Sequence, residues 1–263
     1  MSHDRRVLVY PDKSVLADAV AALFIERLSA TIRESGVAHI VLTGGSMGAA
    51  VLESVRSLGL SSSVDWSLVH FWWGDERWLP RGDSERNETQ ARAALLDDAR
   101  LSTAHVHPFP ASDDGLALDA AADAYAAELS DNAPDGALLP RFDITFLGVG
   151  PDGHIASLFP DKPGILEREK AVIAVENSPK PPSERLSLTR PAINTSQAVW
   201  LVLSGADKAS ALGLALAGAS MSEVPVSGIK GRVETNFYVD AAASAEVPEN
   251  LTTTEMFWTA ADN

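Results

Sequence analysis

The chain has 263 residues, 46% hydrophobic and 22% charged, proportions that suit a folded globular protein and exclude a disordered or collagen-like one. Its 21 Lys and Arg face 36 Asp and Glu, a formal charge of −15, so nucleic acid and anionic lipid are poor partners and any anionic ligand needs a local basic cluster. Without cysteine there are no disulfides, thiolate nucleophiles or Cys-ligated zinc, and no apolar run approaches the roughly 20 residues of a membrane span.

Short β-rich runs alternate with amphipathic helical stretches, which predicts an α/β fold with a mostly parallel central sheet flanked by helices. Residues 7–10 read as the first strand. Ser14 then serves as N-cap of a helix whose apolar stripe, Val15, Ala19, Ala22, Leu23, Ile25 and Ile32, stops near Gly36. A buried strand at 39–42 runs into Thr43-Gly44-Gly45-Ser46 and a helix to about 58. The strand at 68–72 leads into a strand-end loop over 72–80 that carries Trp72, Trp73 and Trp78, residues suited either to a sugar pocket or to the core. Helices at 87–97 and 113–130 follow. The strand at 142–149 is apolar enough, through Ile144, Phe146, Leu147 and Val149, to be covered on both faces. Strands at 171–175 and 198–203, a helix at 206–217 and a strand at 237–239 complete the series. The irregular stretches 160–164 and 178–183 are too short for linkers and read as functional loops, so residues 1–263 form one domain.

Gly44-Gly45-Ser46-Met47-Gly48 matches the G-x-S-x-G nucleophile elbow, but it comes after only about two strands and no oxyanion-loop glycine run precedes it. Its better reading is an anion cradle, in which a glycine turn lets the backbone approach a phosphate, the helix N-terminus offers N–H groups, and Ser46 caps the helix and donates its hydroxyl. Gly148-Val149-Gly150-Pro151-Asp152-Gly153 matches the dinucleotide fingerprint G-x-G-x-x-G, yet Pro160, Pro163 and Gly164 leave no room for the helix that motif requires. What remains is Asp152-Gly153-His154 at the carboxyl end of a buried strand. There a neutral imidazole can take a proton from water while a nearby carboxylate fixes its tautomer. Of the other histidines, His3 is terminal and His39 and His70 belong to strands. His105 and His107 share a strand face as a metal pair would, but no third ligand is nearby, so a structural role is favoured.

Four segments, in order, resemble the 6-phosphogluconolactonase family over nearly the whole chain: Thr43 to Ser46, Trp73-Gly74-Asp75-Glu76-Arg77, Gly148 through Pro160, and Ser178-Pro179-Lys180-Pro181-Pro182 with Arg185. The related glucosamine-6-phosphate deaminases share the Asp-Gly-His core. They continue differently after it, and they usually have an aromatic where Arg77 stands. The resemblance implies a Rossmann-like layered α/β domain and hydrolysis of 6-phospho-D-glucono-1,5-lactone in the oxidative pentose phosphate pathway. It further implies His154 as general base, Asp152 as its orienting carboxylate, and Arg77 either on the oxyanion or on the phosphate or sugar hydroxyls. Asp75 shapes the site. Gly44, Gly45 and Ser46 hold the phosphate, with Lys180, Lys208 and Arg185 as three candidate counter-charges. No cofactor or metal is expected, and a cytoplasmic monomer or weak homo-oligomer is. Gly48 departs from the family, which usually has proline near this point, and predicts a looser first helical turn.

Overall fold

The structure is a computed structural model and describes residues 4–98, 101, 104–248 and 251–253, so His3 lies outside the described residues. Strand β1 (Asp4–Tyr10) enters helix α1 (Lys13–Ser35). Asp12, not Ser14, is the N-cap: its carboxylate accepts from Ser14 N (2.8 Å) and Val15 N (3.0 Å), so the helix starts one residue before the predicted cap. Gly36 ends the helix at φ +76°, a left-handed conformation that glycine adopts without a Cβ penalty. Leu16, Val20, Phe24 and Leu28, one turn apart, are fully buried, each contributing about 1.5–3 kcal/mol of burial free energy.

Strand β2 (Ala38–Leu42) is buried throughout and leads to α2 (Gly45–Ser57), and β3 (Val69–Trp73) follows. A short β4 (Asp75–Arg77) and α3 (Asn87–Ala91) come next, the latter widening into a π-helical turn at Arg92–Leu96. After β5 (His105–Val106), helix α4 (Leu118–Asp131) begins five residues later than expected. The Asp113 and Asp114 carboxylates instead accept from the backbone N–H groups of Arg81 and Ala111, which commits that stretch to a turn. The chain continues through β6 (Ile144–Leu147), β7 (Val172–Val175), β8 (Arg185–Leu188) and the single turn α5 (Arg190–Ile193). It finishes with β9 (Ala198–Leu203), α6 (Ala209–Leu216), β10 (Glu234–Asp240) and β11 (Thr252–Thr253).

Eight strands form one parallel sheet in the order β11-β1-β10-β9-β6-β2-β3-β5. The chain runs outward from β2 through β3 to β5, then returns to β6 on the other side of β2 and moves the opposite way. That reversal is a topological switch point, and in open α/β sheets the crevice beyond the carboxyl ends of two such strands receives the ligand. A second, antiparallel sheet, β4-β8-β7, stands beside it. The run at 171–175 belongs to this small sheet and not to the parallel one. Its partner β8 is absent from the sequence reading, and part of the expected 72–80 loop is strand. Four alternating residues carry little periodic signal, and β8 takes its second partner, β4, from far away in the chain.

Candidate active site

The glycine turn after β2 and the loop after β6 meet at the switch point, where Gly148 N donates to Thr43 Oγ1 (3.2 Å). Gly44 is the N-cap residue of α2 and no side chain caps the helix, so Ser46 does not have the predicted capping role. It sits exposed in the first turn, and the opening N–H groups of α2, which have no intrahelical partner, are left for a ligand. Gly45 has φ +80°, the left-handed region glycine favours. Gly48 does not loosen the helix, which runs unbroken to Ser57. A Cβ there would stand 2.2 Å from the Thr43 carbonyl oxygen, so glycine permits the close approach.

No helix follows Gly153; the next pairing is a bridge between Ile155 and Leu158. The glycines of this loop serve a tight turn, in which Gly150 N donates to His154 O (2.9 Å) and Gly153 N to Gly150 O (2.9 Å). A Cβ on Gly150 would lie 1.9 Å from His154 Nδ1, so its absence seats the imidazole on the backbone. His154 Nδ1 is 2.5 Å from Asp152 Oδ1, and its ring packs on Phe159 with centroids 4.7 Å apart. Lys180 Nζ lies 3.3 Å from the same Nδ1 and 3.7 Å from Asp152 Oδ1. Burial acts to raise the Asp152 carboxyl, but the hydrogen bond and charge of His154, with Lys180 added, outweigh it and hold the group well below the usual carboxylate range. An ionised Asp152 accepts the Nδ1 proton, which leaves Nε2 as the basic nitrogen. That atom has no partner among the described residues.

Strand β4 supplies the opposite wall. Asp75 is buried, and its Oδ2 accepts from Ser157 Oγ (2.7 Å), three residues beyond His154. The Arg77 guanidinium donates to the Glu85 carbonyl and borders the cleft. Between them Glu76 points inward, accepting from the backbone N–H groups of Arg77 (2.8 Å), Asn87 (2.7 Å) and Glu88 (2.9 Å). Burial pushes its carboxyl up to about 7, against the pull of Arg86 and those three N–H groups. Arg185 donates to the carbonyls of Pro182 (3.2 Å), Lys180 (3.3 Å) and Pro181 (2.9 Å) and lies over the Phe159 ring, so it braces the loop that carries Lys180. Lys208 pairs with Asp207 at 2.9 Å.

The cleft so formed has a volume of about 230 Å³. Gly44, Gly45, Ser46, Asp75, Arg77, His154, Lys180, Arg185 and Lys208 all line it, with Asp152 held to Nδ1 of His154. Four cations thus converge within an acidic protein. The sequence reading gives no role to Asn87, which lines the cleft and stands out by no motif, nor to Thr43 and Ser157, which enter it only as members of the glycine-turn and Asp-Gly-His segments. Among the described residues, no group of three or more His, Asp or Glu side chains could hold a metal ion.

The remaining histidines lie elsewhere. His39, His70 and His105 lie first or second in their strands, near the amino ends, and pack ring against ring with centroid distances of 4.6 and 4.3 Å. His70 Nδ1 meets His107 Nε2 at 3.0 Å, and His107 Nδ1 meets Glu128 at 2.7 Å. Burial, reinforced by the neighbouring imidazoles, lowers His39 and His70 to about 4. Trp72 and Trp73 are buried, and neither they nor Trp78 line the cleft; Trp72 stacks on His107 and donates Nε1–H to His39 Nδ1 (3.2 Å), a core role and not a sugar-binding one.

Residues 11–237 match the family described as glucosamine-6-phosphate isomerases/6-phosphogluconolactonase. The chain is 45% identical over 255 residues to the 6-phosphogluconolactonase of Streptomyces coelicolor, covering 95% of this chain and 98% of that one. It is 44% identical to the 6-phosphogluconolactonase of Mycobacterium tuberculosis, over 91% and 97% of the two chains. The solved 6-phosphogluconolactonase of Trypanosoma brucei superposes with a TM-score of 0.81 at 25% identity, covering 94% of this chain and all of that one.

Proposed function

The chain belongs to the glucosamine-6-phosphate isomerase/6-phosphogluconolactonase family, and from that premise we propose that it hydrolyses 6-phospho-D-glucono-1,5-lactone to 6-phospho-D-gluconate, a step of the oxidative pentose phosphate pathway. The observation that carries this reading is the shared cleft. His154, held by Asp152, and the glycine turn at the start of α2 line one and the same cleft.

The substrate phosphate sits on the first N–H groups of α2 with Ser46 Oγ–H, and Lys208 and Lys180 supply counter-charge. His154 Nε2 takes a proton from water as the water oxygen bonds to the lactone carbonyl carbon. The carbonyl oxygen becomes an oxyanion, which Arg77 stabilises electrostatically. As that oxygen re-forms the carbonyl, the ring carbon–oxygen bond breaks. The departing ring oxygen takes the proton from the His154 imidazolium, so one water is consumed and the imidazole is restored. Asp152 keeps the ring in the productive tautomer and balances the imidazolium charge.

Every group in this scheme comes from one chain, so a monomer suffices as the catalytic unit. We place the reaction in the cytoplasm, because a phosphorylated substrate does not cross a bilayer unaided. The test is a coupled assay on freshly generated lactone, corrected for spontaneous hydrolysis, with 6-phosphogluconate as the readout. Accelerated hydrolysis is expected, together with no ammonia from glucosamine 6-phosphate and no fluorophosphonate labelling of Ser46. Release of ammonia without lactone hydrolysis would move the chain to the deaminase branch of its family.

A further inference from the structure

The two adjacent glycines of the anion turn are there for different reasons. Gly45 has φ +80°, and a Cβ on it would meet nothing within 4 Å, so only its backbone conformation calls for glycine. Gly44 has φ −80° and ψ −166°, extended backbone open to any residue. What it lacks is room. A Cβ at Gly44 would stand 1.9 Å from Asn87 Oδ1 and 2.3 Å from Asn87 Cγ.

Asn87 is not free to retreat. Its Nδ2 donates to Asp75 O (2.8 Å) and reaches Asp75 Oδ1 (3.3 Å), and its own N–H is held by Glu76 (2.7 Å). The side chain is buried where it borders the cleft. Asp75 in turn holds Ser157, on the loop that carries His154. A chain of contacts therefore joins the phosphate turn to the imidazole loop through Gly44, Asn87, Asp75 and Ser157.

We propose that Asn87 is a positioning residue for lactone hydrolysis: its amide, wedged between Gly44 and Asp75, spaces the phosphate turn from the His154 loop, and its crowding imposes glycine at position 44. This rests on the lactonase reading given above. Such a wedge matters because a displacement of about 1 Å between a binding group and a reacting centre is enough to cost on the order of 10²-fold in rate. It follows that, alongside the Gly148–Thr43 bond, the groups which bind phosphate and the groups which do chemistry are spaced by a side chain that takes part in neither.

The test is a double-mutant cycle with Gly44→Ala and Asn87→Ala, read as kcat and KM on phosphorylated and unphosphorylated lactone, with 6-phosphogluconate affinity from calorimetry. Gly44→Ala is expected to lower kcat/KM on the order of 10²-fold. In the Asn87→Ala background the same change has almost no further effect, since the methyl enters the vacated space. Asn87→Ala by itself lowers kcat and the preference for the phosphorylated lactone in a protein that stays folded, its thermal midpoint down by several degrees for the lost buried hydrogen bond to Asp75. Asn87→Asp keeps the wedge but sets a carboxylate against Asp75. It is expected to keep phosphate preference better than Asn87→Ala and to lose kcat.

An equal loss from Gly44→Ala in both backgrounds overturns the proposal, because glycine would then be needed for the phosphate itself. So does an Asn87→Ala variant whose phosphate preference is unchanged. If Gly44→Ala does not fold, recovery of a folded, active protein in the double variant supports the wedge, and a double variant that also fails to fold while Asn87→Ala folds refutes it. Wild-type protein that does not hydrolyse the lactone at all refutes the lactonase reading instead, so the two failures are distinguishable.

Discussion

Two imidazole–carboxylate pairs stand on the same sheet. Beyond the carboxyl end of β6 His154 Nδ1 lies 2.5 Å from Asp152, and on the face beside β3, just after β5, His107 Nδ1 lies 2.7 Å from Glu128. The bonds are nearly alike, and the surroundings are opposite. His107 has its second nitrogen taken by His70 at 3.0 Å, and its ring lies flat on Trp72 with centroids 3.9 Å apart. His154 leaves its second nitrogen unpartnered among the described residues and lines a cleft with four cations. A carboxylate beside an imidazole therefore does not make a base. The base also needs a nitrogen left open and an anchor for the substrate nearby.

The contrast is broken most directly by removing each ring in turn. His154→Ala should lower kcat by roughly 10²- to 10⁴-fold, the usual contribution of a general base, while calorimetric affinity for 6-phosphogluconate stays unchanged. His107→Ala should leave turnover intact and lower the thermal midpoint, since it removes a stacked, hydrogen-bonded ring. Comparable losses of turnover in both variants would erase the distinction between the two pairs.

A smaller effect sharpens the account of the cleft's cations. Lys180→Ala and Lys208→Ala should each raise KM by roughly tenfold or more, the loss of a charge-assisted hydrogen bond worth about 1.5–3 kcal/mol. Both should reduce the preference for phosphorylated over unphosphorylated lactone. Steady-state kinetics on the two substrates decides this, and a variant with undiminished preference would take its lysine off the phosphate.

The smallest effect concerns the amino end and pH. His39 and His70 titrate near 4 in the folded protein against an ordinary 6.5, so between those values the unfolded chain binds more protons. Stability from this cluster is complete above about pH 6.5 and falls as the pH drops towards 4. At about 1.4 kcal/mol per pKa unit, His39 alone accounts for about 1–3 kcal/mol. Glu76 acts in the opposite sense: raised to about 7, it gives stability that is complete below its ordinary value and lost as the pH rises through 7. The informative quantity is therefore the difference in thermal midpoint between wild type and a His39→Gln, His70→Gln variant, followed from pH 7 to 4.5. That difference should shift by several degrees in favour of the variant as the pH falls, at about 2–4 °C per kcal/mol. A pH-independent difference would mean that these rings do not titrate as their burial demands.

Much of the site was legible because its parts are contiguous. Gly44-Gly45-Ser46 and Asp152-Gly153-His154 each follow a buried strand, and local chain chemistry alone marks such turns. The reasons for individual residues were not legible. Gly44 answers to Asn87, 43 residues on in another element, while Gly48 answers to the Thr43 carbonyl and Gly150 to the His154 ring, contacts within one turn that depend on its folded geometry. Strand β8 escaped for the same reason, since Arg185 to Leu188 become a strand only by pairing with β7 and β4. Arg185 was read as a possible phosphate counter-charge; its Nε and Nη2 donate to three carbonyls of the Lys180 loop, and its side chain also lines the cleft.

Composition and the alternation of elements, by themselves, determined an acidic, cysteine-free α/β chain with a glycine turn and an Asp-Gly-His loop, because propensity and turn chemistry act over a few residues. Only the tertiary structure decided that these two loops face each other across the reversal between β2 and β6, and that His154 rather than His107 keeps an open nitrogen. Strand order and ring stacking depend on residues about 30 to 100 positions apart, and burial is a property of the assembled fold.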